Sequence, residues 1–261
     1  MTQQIHMFIG KGGVGKSTSS ALTALHAATS GRTTLLASMD PAHNQCDIFE
    51  RRLCEKPVKV ADNLEVMEVN DKAWEEKYLK ETFHHLQDTY SYQSAFGLGN
   101  YFKVLKYSPG VEEYALTLAF SHILERYAHR DVLVFDMPPT AQSLRFLSLP
   151  TITLIWLEEL LKLRQAILKK KEIISTIKVG KKEMEQDRIA SRLGKMSEQY
   201  CKLRDLFAGS SMHVNVVMNP DKLAFSESLR IREKLAEIDL APAHVFLNKI
   251  RPGDDIEHVL R

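Results

Sequence analysis

Residues 10–18 read Gly10-Lys11-Gly12-Gly13-Val14-Gly15-Lys16-Ser17-Thr18, a glycine-dense turn between an apolar run and a helical pattern. No other feature of the chain constrains its fold as tightly. The segment fits G-x-x-x-x-G-K-[ST] with the flanks that this motif needs, a buried strand before it and a helix after it. Glycines let the backbone curl until successive N–H groups point inward at phosphate oxygens, where a Cβ would collide. The helix opening near Ser17 adds the positive end of its dipole. Lys16 then supplies a point charge to the outer phosphates, and the Ser17 hydroxyl is a ligand for Mg²⁺. Gly12, Gly13, Val14, Gly15 and Thr18 complete the cradle. Gly10, Gly12 and Gly15 also satisfy G-x-G-x-x-G, with Asp40 beyond the second strand where a dinucleotide fold places its ribose acid. That alternative leaves Lys16 and Ser17 without work.

Residues 5–9 predict the strand before the turn, and residues 17–30 a helix in which Ala21, Leu22, Ala24, Leu25 and Ala28 lie near helical spacing. Buried strands are expected at 33–37 and 132–135, an alternating strand at 63–69, and later strands at 213–218 and 243–247. Helices are expected at 71–86 and 226–238. Pro138-Pro139 argues against a helix directly after the 132–135 strand. From 151 to about 207, Glu, Lys, Arg and Leu dominate without proline, a long helical hairpin breaking near Val179-Gly180. Strands alternating with helices imply a doubly wound α/β fold with a mainly parallel sheet. One domain over 1–261 with a helical insert at 151–208 is expected, rather than two domains.

With 261 residues, 44% of them apolar, the chain can bury a sizeable core. Its 35 basic and 33 acidic residues leave a charge of +2, which gives no strong signal for nucleic acid. The most apolar stretch outside the first strand, 151–157, is far too short to span a bilayer, and residues 1–10 do not read as a signal peptide. A cytoplasmic protein is expected. Cys46, Cys54 and Cys201 are widely spaced, and neither a disulfide framework nor a cysteine-built zinc site is encoded within one chain. Cys46 is expected to be a small buried residue.

Lys11 is the second lysine inside the glycine-rich turn, which marks a deviant form of the motif, K-G-G-x-G-K-[ST]. KGGVGKST at 11–18, DPAHN at 40–44 and VFDMPPTAQSLRFLSL at 134–149 together resemble the arsenical-pump-driving ATPase family, which includes the ATPase that targets tail-anchored membrane proteins. The wider class contains the partition ATPases MinD and ParA and the nitrogenase iron protein. DPAHN is specific to the narrower family.

The resemblance implies a P-loop NTPase fold, MgATP as ligand, ATP hydrolysis, and a homodimer with nucleotide at the interface and a protein client. It makes Asp40 the switch residue that positions and polarises the attacking water, and places Asn44 close to the γ-phosphate. Asp47 is expected to be more structural than catalytic. The resemblance makes Asp136 the carboxylate that holds Mg²⁺ through water. Residues 138–142 would sense hydrolysis. Asn219 and Asp221 would flank the nucleotide, Asn248 would recognise adenine, and Lys11 would reach the partner's nucleotide. Met137, Pro138, Ala141 and Gln142 depart from the family's D-T-A-P-T-G-H-T, which implies a switch that moves differently or hydrolyses more slowly. Long members continue past the adenine-binding asparagine to a zinc-binding cysteine pair, and no such pair follows Asn248 here. Two alternatives follow: a partition or metalloenzyme-maturation ATPase, and a nucleotide-gated binding module with little turnover.

In targeting relatives the insert forms a methionine-rich apolar groove. Here it holds only Met184 and Met196, and residues 162–202 are heavily charged. A solvated hairpin packed by Leu161, Leu163, Ile167, Leu168, Ile173, Ile174 and Ile177 is expected, with at most a narrow apolar face. An aromatic cluster, Tyr90, Tyr92, Phe96, Tyr101, Phe102 and Tyr107, is expected to cover the core. His84-His85 has no third ligand at useful spacing.

Overall fold

In the computed structural model, residues 3–89, 108–178 and 188–252 are described. The strands are β1 (Gln4–Ile9), β2 (Thr34–Ser38), β3 (Val58–Ala61), β4 (Leu64–Glu68), β5 (Val132–Asp136), β6 (Met212–Met218) and β7 (His244–Leu247). The helices are α1 (Lys16–Thr29), α2 (Gln45–Phe49), α3 (Asp71–Thr89), α4 (Val111–Arg126), α5 (Thr140–Lys178), α6 (Arg188–Ala208) and α7 (Lys222–Ala236).

The strands form one sheet in the order β3-β4-β2-β5-β1-β6-β7, with only the β3–β4 pair antiparallel. This is the doubly wound, mainly parallel architecture expected. Apolar runs build the central strands because both faces are covered: β2 and β5 are buried at every residue. On one face Phe8, Leu36, Val66 and Val134 meet α1. On the other, Met7, Leu35, Phe135 and Val216 pack with α4, α5, α6 and α7. Phe120 of α4 centres that second layer, 4.6 Å from Phe135, 5.3 Å from Phe146 and 5.7 Å from Phe207 between ring centroids.

Three expectations are corrected, and the apolar residues of α1 divide between two faces. In α1 the sheet-facing stripe is Ala21, Ala24, Ala27 and Ala28, while Leu22 and Leu25 are exposed. Small side chains let the helix lie close to the sheet, and the leucines fall on its outer face. Pro138-Pro139 does not delay a helix: α5 starts at Thr140, and the Pro139 carbonyl accepts from the Gln142 and Ser143 amides. A proline just ahead of a helix loses no bond, because the first-turn amides have no intrahelical partner. The hairpin's first helix therefore starts well before 151 and runs through the buried Pro150, which packing against the core tolerates. Finally, Leu163 and Ile167 are not buried within the hairpin. They are exposed, and with Ile152, Ile155 and Trp156 they continue an apolar stripe along α5.

Elements 58–61, 45–49 and 111–126 were not expected from the sequence. The aromatic cluster, the break at Val179-Gly180, Met184 and the side chains of His85, Ile173, Ile174 and Ile177 lie outside the described residues. Cys46 is only half-buried, Cys54 is exposed and Cys201 is half-buried.

Candidate functional site

Crossing from β1 to β2 skips one sheet position, which β5 fills. The carboxyl ends of β1, β5 and β2 therefore lie side by side. The chain leaves them as the residue 10–18 turn, Asp136 and Asp40. Clefts outside the carboxyl ends of parallel strands are where such sheets hold ligands. The register sets the neighbours: Asp136 lies opposite Phe8 on one side and Ser38 on the other.

The turn is locked by close approaches. Gly10 has φ +150°, and a Cβ there would lie 2.4 Å from the Val217 carbonyl oxygen of β6. Gly15 has φ +95°, and a Cβ there would lie 2.1 Å from Asn248 Nδ2. Only glycine fits either position. Val14 is buried and pins the turn to the core. Lys16 is buried and donates to the Lys11 carbonyl at 3.4 Å. Lys11 and Ser17 are half-buried, while Gly12, Gly13 and Thr18 are exposed at the rim.

Asp136 is fully buried at the foot of the turn. Its Oδ2 accepts from Gln45 Nε2 at 2.9 Å, and Oδ1 has no partner. Burial pushes its pKa up, against the pull of the nearby Ser17 hydroxyl and the Gln45 amide, and the nearby Asp40 carboxylate pushes it further up. A buried carboxylate oxygen left open beside a serine hydroxyl and a lysine is costly unless something cationic completes it. Hard oxygen donors suit Mg²⁺, which keeps most of its waters. Ser17 and Asp136 therefore offer oxygen donors that a magnesium ion would fit.

Asp40 is buried, and its Oδ1 accepts from the Ala42 amide at 3.0 Å, closing the turn that follows β2. Asn44 is exposed and precedes α2 without a side-chain cap bond, and Asp47 is exposed. Gln45 was missed in the sequence. It is fully buried, and its amide also donates to the Ser17 carbonyl at 3.1 Å and to Ser20 Oγ at 3.2 Å. Its adjacency to DPAHN was the one available signal. Glu68, also missed, accepts from the Cys46 amide at 3.1 Å and lies 3.8 Å from His43 Nδ1, holding the 40–46 segment to β4.

Asn219 follows β6 with its Oδ1 buried and unpartnered. Asp221 caps α7, accepting from the Ala224 amide at 2.8 Å. Asn248 donates to the Val14 carbonyl at 2.8 Å. In the 138–142 segment, Thr140 Oγ1 donates to Glu227 of α7 at 3.1 Å. Gln142 lines a cavity of about 170 Å³ with Pro41 and Trp74. A broader cleft of about 410 Å³ runs from Lys11 and Gly12 past Ala141 to Arg230 and Lys234. Arg145 pairs with Glu113, fastening α5 to α4. Among the described residues, no group of three or more His, Cys, Asp or Glu is placed to hold a metal. Nor is any described helix long and apolar enough to cross a membrane.

The family model described as anion-transporting ATPase matches residues 3–260. A protein of Aquifex aeolicus, by name a candidate arsenical pump-driving ATPase, is 28% identical over 97% of this chain and 65% of its own length. The ATPase GET3C of Arabidopsis thaliana is 27% identical over 97% of this chain and 68% of its own length. The ATPase GET3B of the same plant is 30% identical over 96% of this chain and 65% of its own length. The chain thus spans about two thirds of the length of these relatives.

Proposed function

Because the chain belongs to the anion-transporting ATPase family, we propose that it binds MgATP in the residue 10–18 curl and hydrolyses it to ADP and phosphate. The observation that carries this reading is the buried Asp136, one oxygen open, beside Ser17 and Lys16 at the ends of β5 and β1. Ser17 and Asp136 would hold Mg²⁺, which would supply charge neutralisation to the bound triphosphate. The curl's amides and Lys16 bind the triphosphate, Asp40 orients the attacking water and accepts its proton, and Asn44 lies towards the γ-phosphate. Asn219, Asp221 and Asn248 line the nucleoside end. Positioning accounts for most of the rate, since phosphoryl transfer asks little covalent chemistry of the protein.

In the same proposal two copies meet in the cytoplasm with nucleotide between them. Lys11 reaches the partner's phosphates, and hydrolysis opens the pair and releases a protein client. The exposed turn rim and the cleft from Lys11 to Lys234 support this arrangement. The whole chain acts as one ATPase domain, with residues 151–208 as its insert. The names of the Arabidopsis relatives, both ATPases, favour turnover over a module that only binds nucleotide. A second reading, a nucleotide-gated module with little turnover, is favoured by Ala141 in the segment that Thr140 ties to Glu227. Parallel ATP-binding and phosphate-release assays, with sedimentation in ATP and in ADP, test both. Absence of magnesium-dependent ATP binding would defeat the proposal.

A further inference from the structure

We propose that Lys249, together with Asn248, acts as a positioning latch that aims two amides of the residue 10–18 curl at the ligand's phosphates. The proposal rests on the nucleotide reading above and gives Lys249 a role that no motif assigns it. Lys249 Nζ donates to the Gly13 carbonyl at 2.6 Å, and Asn248 Nδ2 donates to the Val14 carbonyl at 2.8 Å. Consecutive side chains beyond β7 thus hold consecutive carbonyls of the turn.

In a planar trans peptide the carbonyl of one residue and the amide of the next point in opposite directions. Holding the Gly13 carbonyl outward therefore turns the Val14 amide inward, and holding the Val14 carbonyl outward turns the Gly15 amide inward. Gly13, at φ +80° with nothing within 4 Å of where a Cβ would stand, has no packing of its own to set that orientation. Exposed glycines leave the turn free to rotate its peptides unless something outside holds them.

The latch is fixed at its other end. The Asn248 amide donates to the Met218 carbonyl at 2.8 Å, which continues the β6–β7 ladder. Lys249 adopts the left-handed region at φ +58°. A lysine rarely takes that conformation, and it follows the sheet-anchored Asn248 directly. The absence of a Cβ at Gly15 is what admits Asn248 to the turn. The ammonium meets the Gly13 carbonyl, on the side of that peptide away from the Val14 amide, so its effect on binding runs through peptide orientation.

The test is calorimetric titration of the full chain with MgATP and with magnesium tripolyphosphate, which has no base or sugar. Lys249→Met, which keeps the stem and removes the ammonium, is expected to weaken both ligands by about tenfold. Lys249→Arg is expected to restore most of that loss. The ligand-free melting midpoint should stay within about 2 °C of the parent. The Val14 and Gly15 amide resonances should shift less on triphosphate binding in the methionine variant. Unchanged affinities in that variant would overturn the latch while leaving the nucleotide reading intact. So would a loss confined to MgATP, which would place Lys249 at the base. A parent protein that binds neither ligand would remove the nucleotide reading itself, and the latch with it.

Discussion

Gln45 Nε2 donates to Asp136 Oδ2 at 2.9 Å, although 91 residues separate the two along the chain. Because the same amide reaches the Ser17 carbonyl, Gln45 ties the segment after β2 to the end of β5 and to the start of α1. A change at any one of the three is felt by the others through one fully buried side chain. That coupling is what a nucleotide switch needs, since loss of a γ-phosphate must be felt beyond the atoms that touched it.

Replacing Gln45 by leucine removes the donor and leaves Asp136 without that bond. The expected cost is about 2 kcal/mol, the usual range for an orphaned buried acceptor, read as a lower urea midpoint at unchanged slope. Gln45→Glu would place two carboxyls in contact, pushing the pair's pKa above the unfolded carboxylate range. A carboxyl raised in the folded state costs nothing while it stays protonated, and its penalty grows as pH rises. The glutamate variant should therefore lose stability from acid towards neutral pH relative to the parent. A pH-independent difference would mean that the two side chains do not meet.

Lys16→Ala removes the buried ammonium at the foot of the curl, and turnover should fall to background. Asp40→Asn keeps the side chain's shape and its bond from the Ala42 amide but removes the base. ATP affinity should stay within about threefold of the parent, while phosphate release falls by at least about a hundredfold. Normal turnover in the asparagine variant would remove Asp40 from the role proposed for it.

The contrast between Asp136 and Gln45 shows which parts of the site could be read in advance. Asp136 closes a run of four buried apolar residues, and the glycine curl follows the buried Met7, Phe8 and Ile9, so both stand at the ends of strands that hydropathy marks clearly. Gln45 carries no periodicity, and its partners become neighbours only once the sheet order is known. The same logic separates the elements. Val58–Ala61 is a short antiparallel edge strand with weak alternation. Val111–Arg126 did carry readable signals: Gly110 before it, Glu112 and Glu113 in its first turn, and Arg126 in its last. Thr140–Lys178 defied its prolines because tertiary packing outweighs local preference when Phe146, Leu147 and Leu157 are all buried.

Phe120 touches three other buried rings, and its side chain is fully enclosed. Phe120→Ala should cost about 3–5 kcal/mol, through lost transfer energy and the cavity left between α4, α5 and α6. Because those helices form the layer opposite α1, the ligand-free curl should survive in whatever fraction remains folded. Denaturant titration gives the cost. MgATP should raise the variant's midpoint as it raises the parent's. Loss of ligand stabilisation would show instead that the aromatic layer props up the site.

His6, His213 and His244 lie in a row across β1, β6 and β7, with ring centroids 4.8 and 6.4 Å apart. Burial, reinforced by His213, Arg32 and His244, lowers the His6 pKa to about 4, while an unfolded histidine titrates near 6.5. Between those values the unfolded chain takes up a proton that the folded one refuses. His6 therefore contributes to stability in full above about 6.5, and that contribution drains away as pH falls towards 4. His6→Phe keeps a ring in the row and removes the titration. The parent should lose more stability than the variant between pH 7 and 4.5, measured by urea midpoints at each pH. Comparison with the variant matters because depressed carboxylates such as Asp131 also drain stability as pH falls, and they do so in both proteins. Equal slopes would mean that His6 is protonated in the folded chain as readily as in the unfolded one.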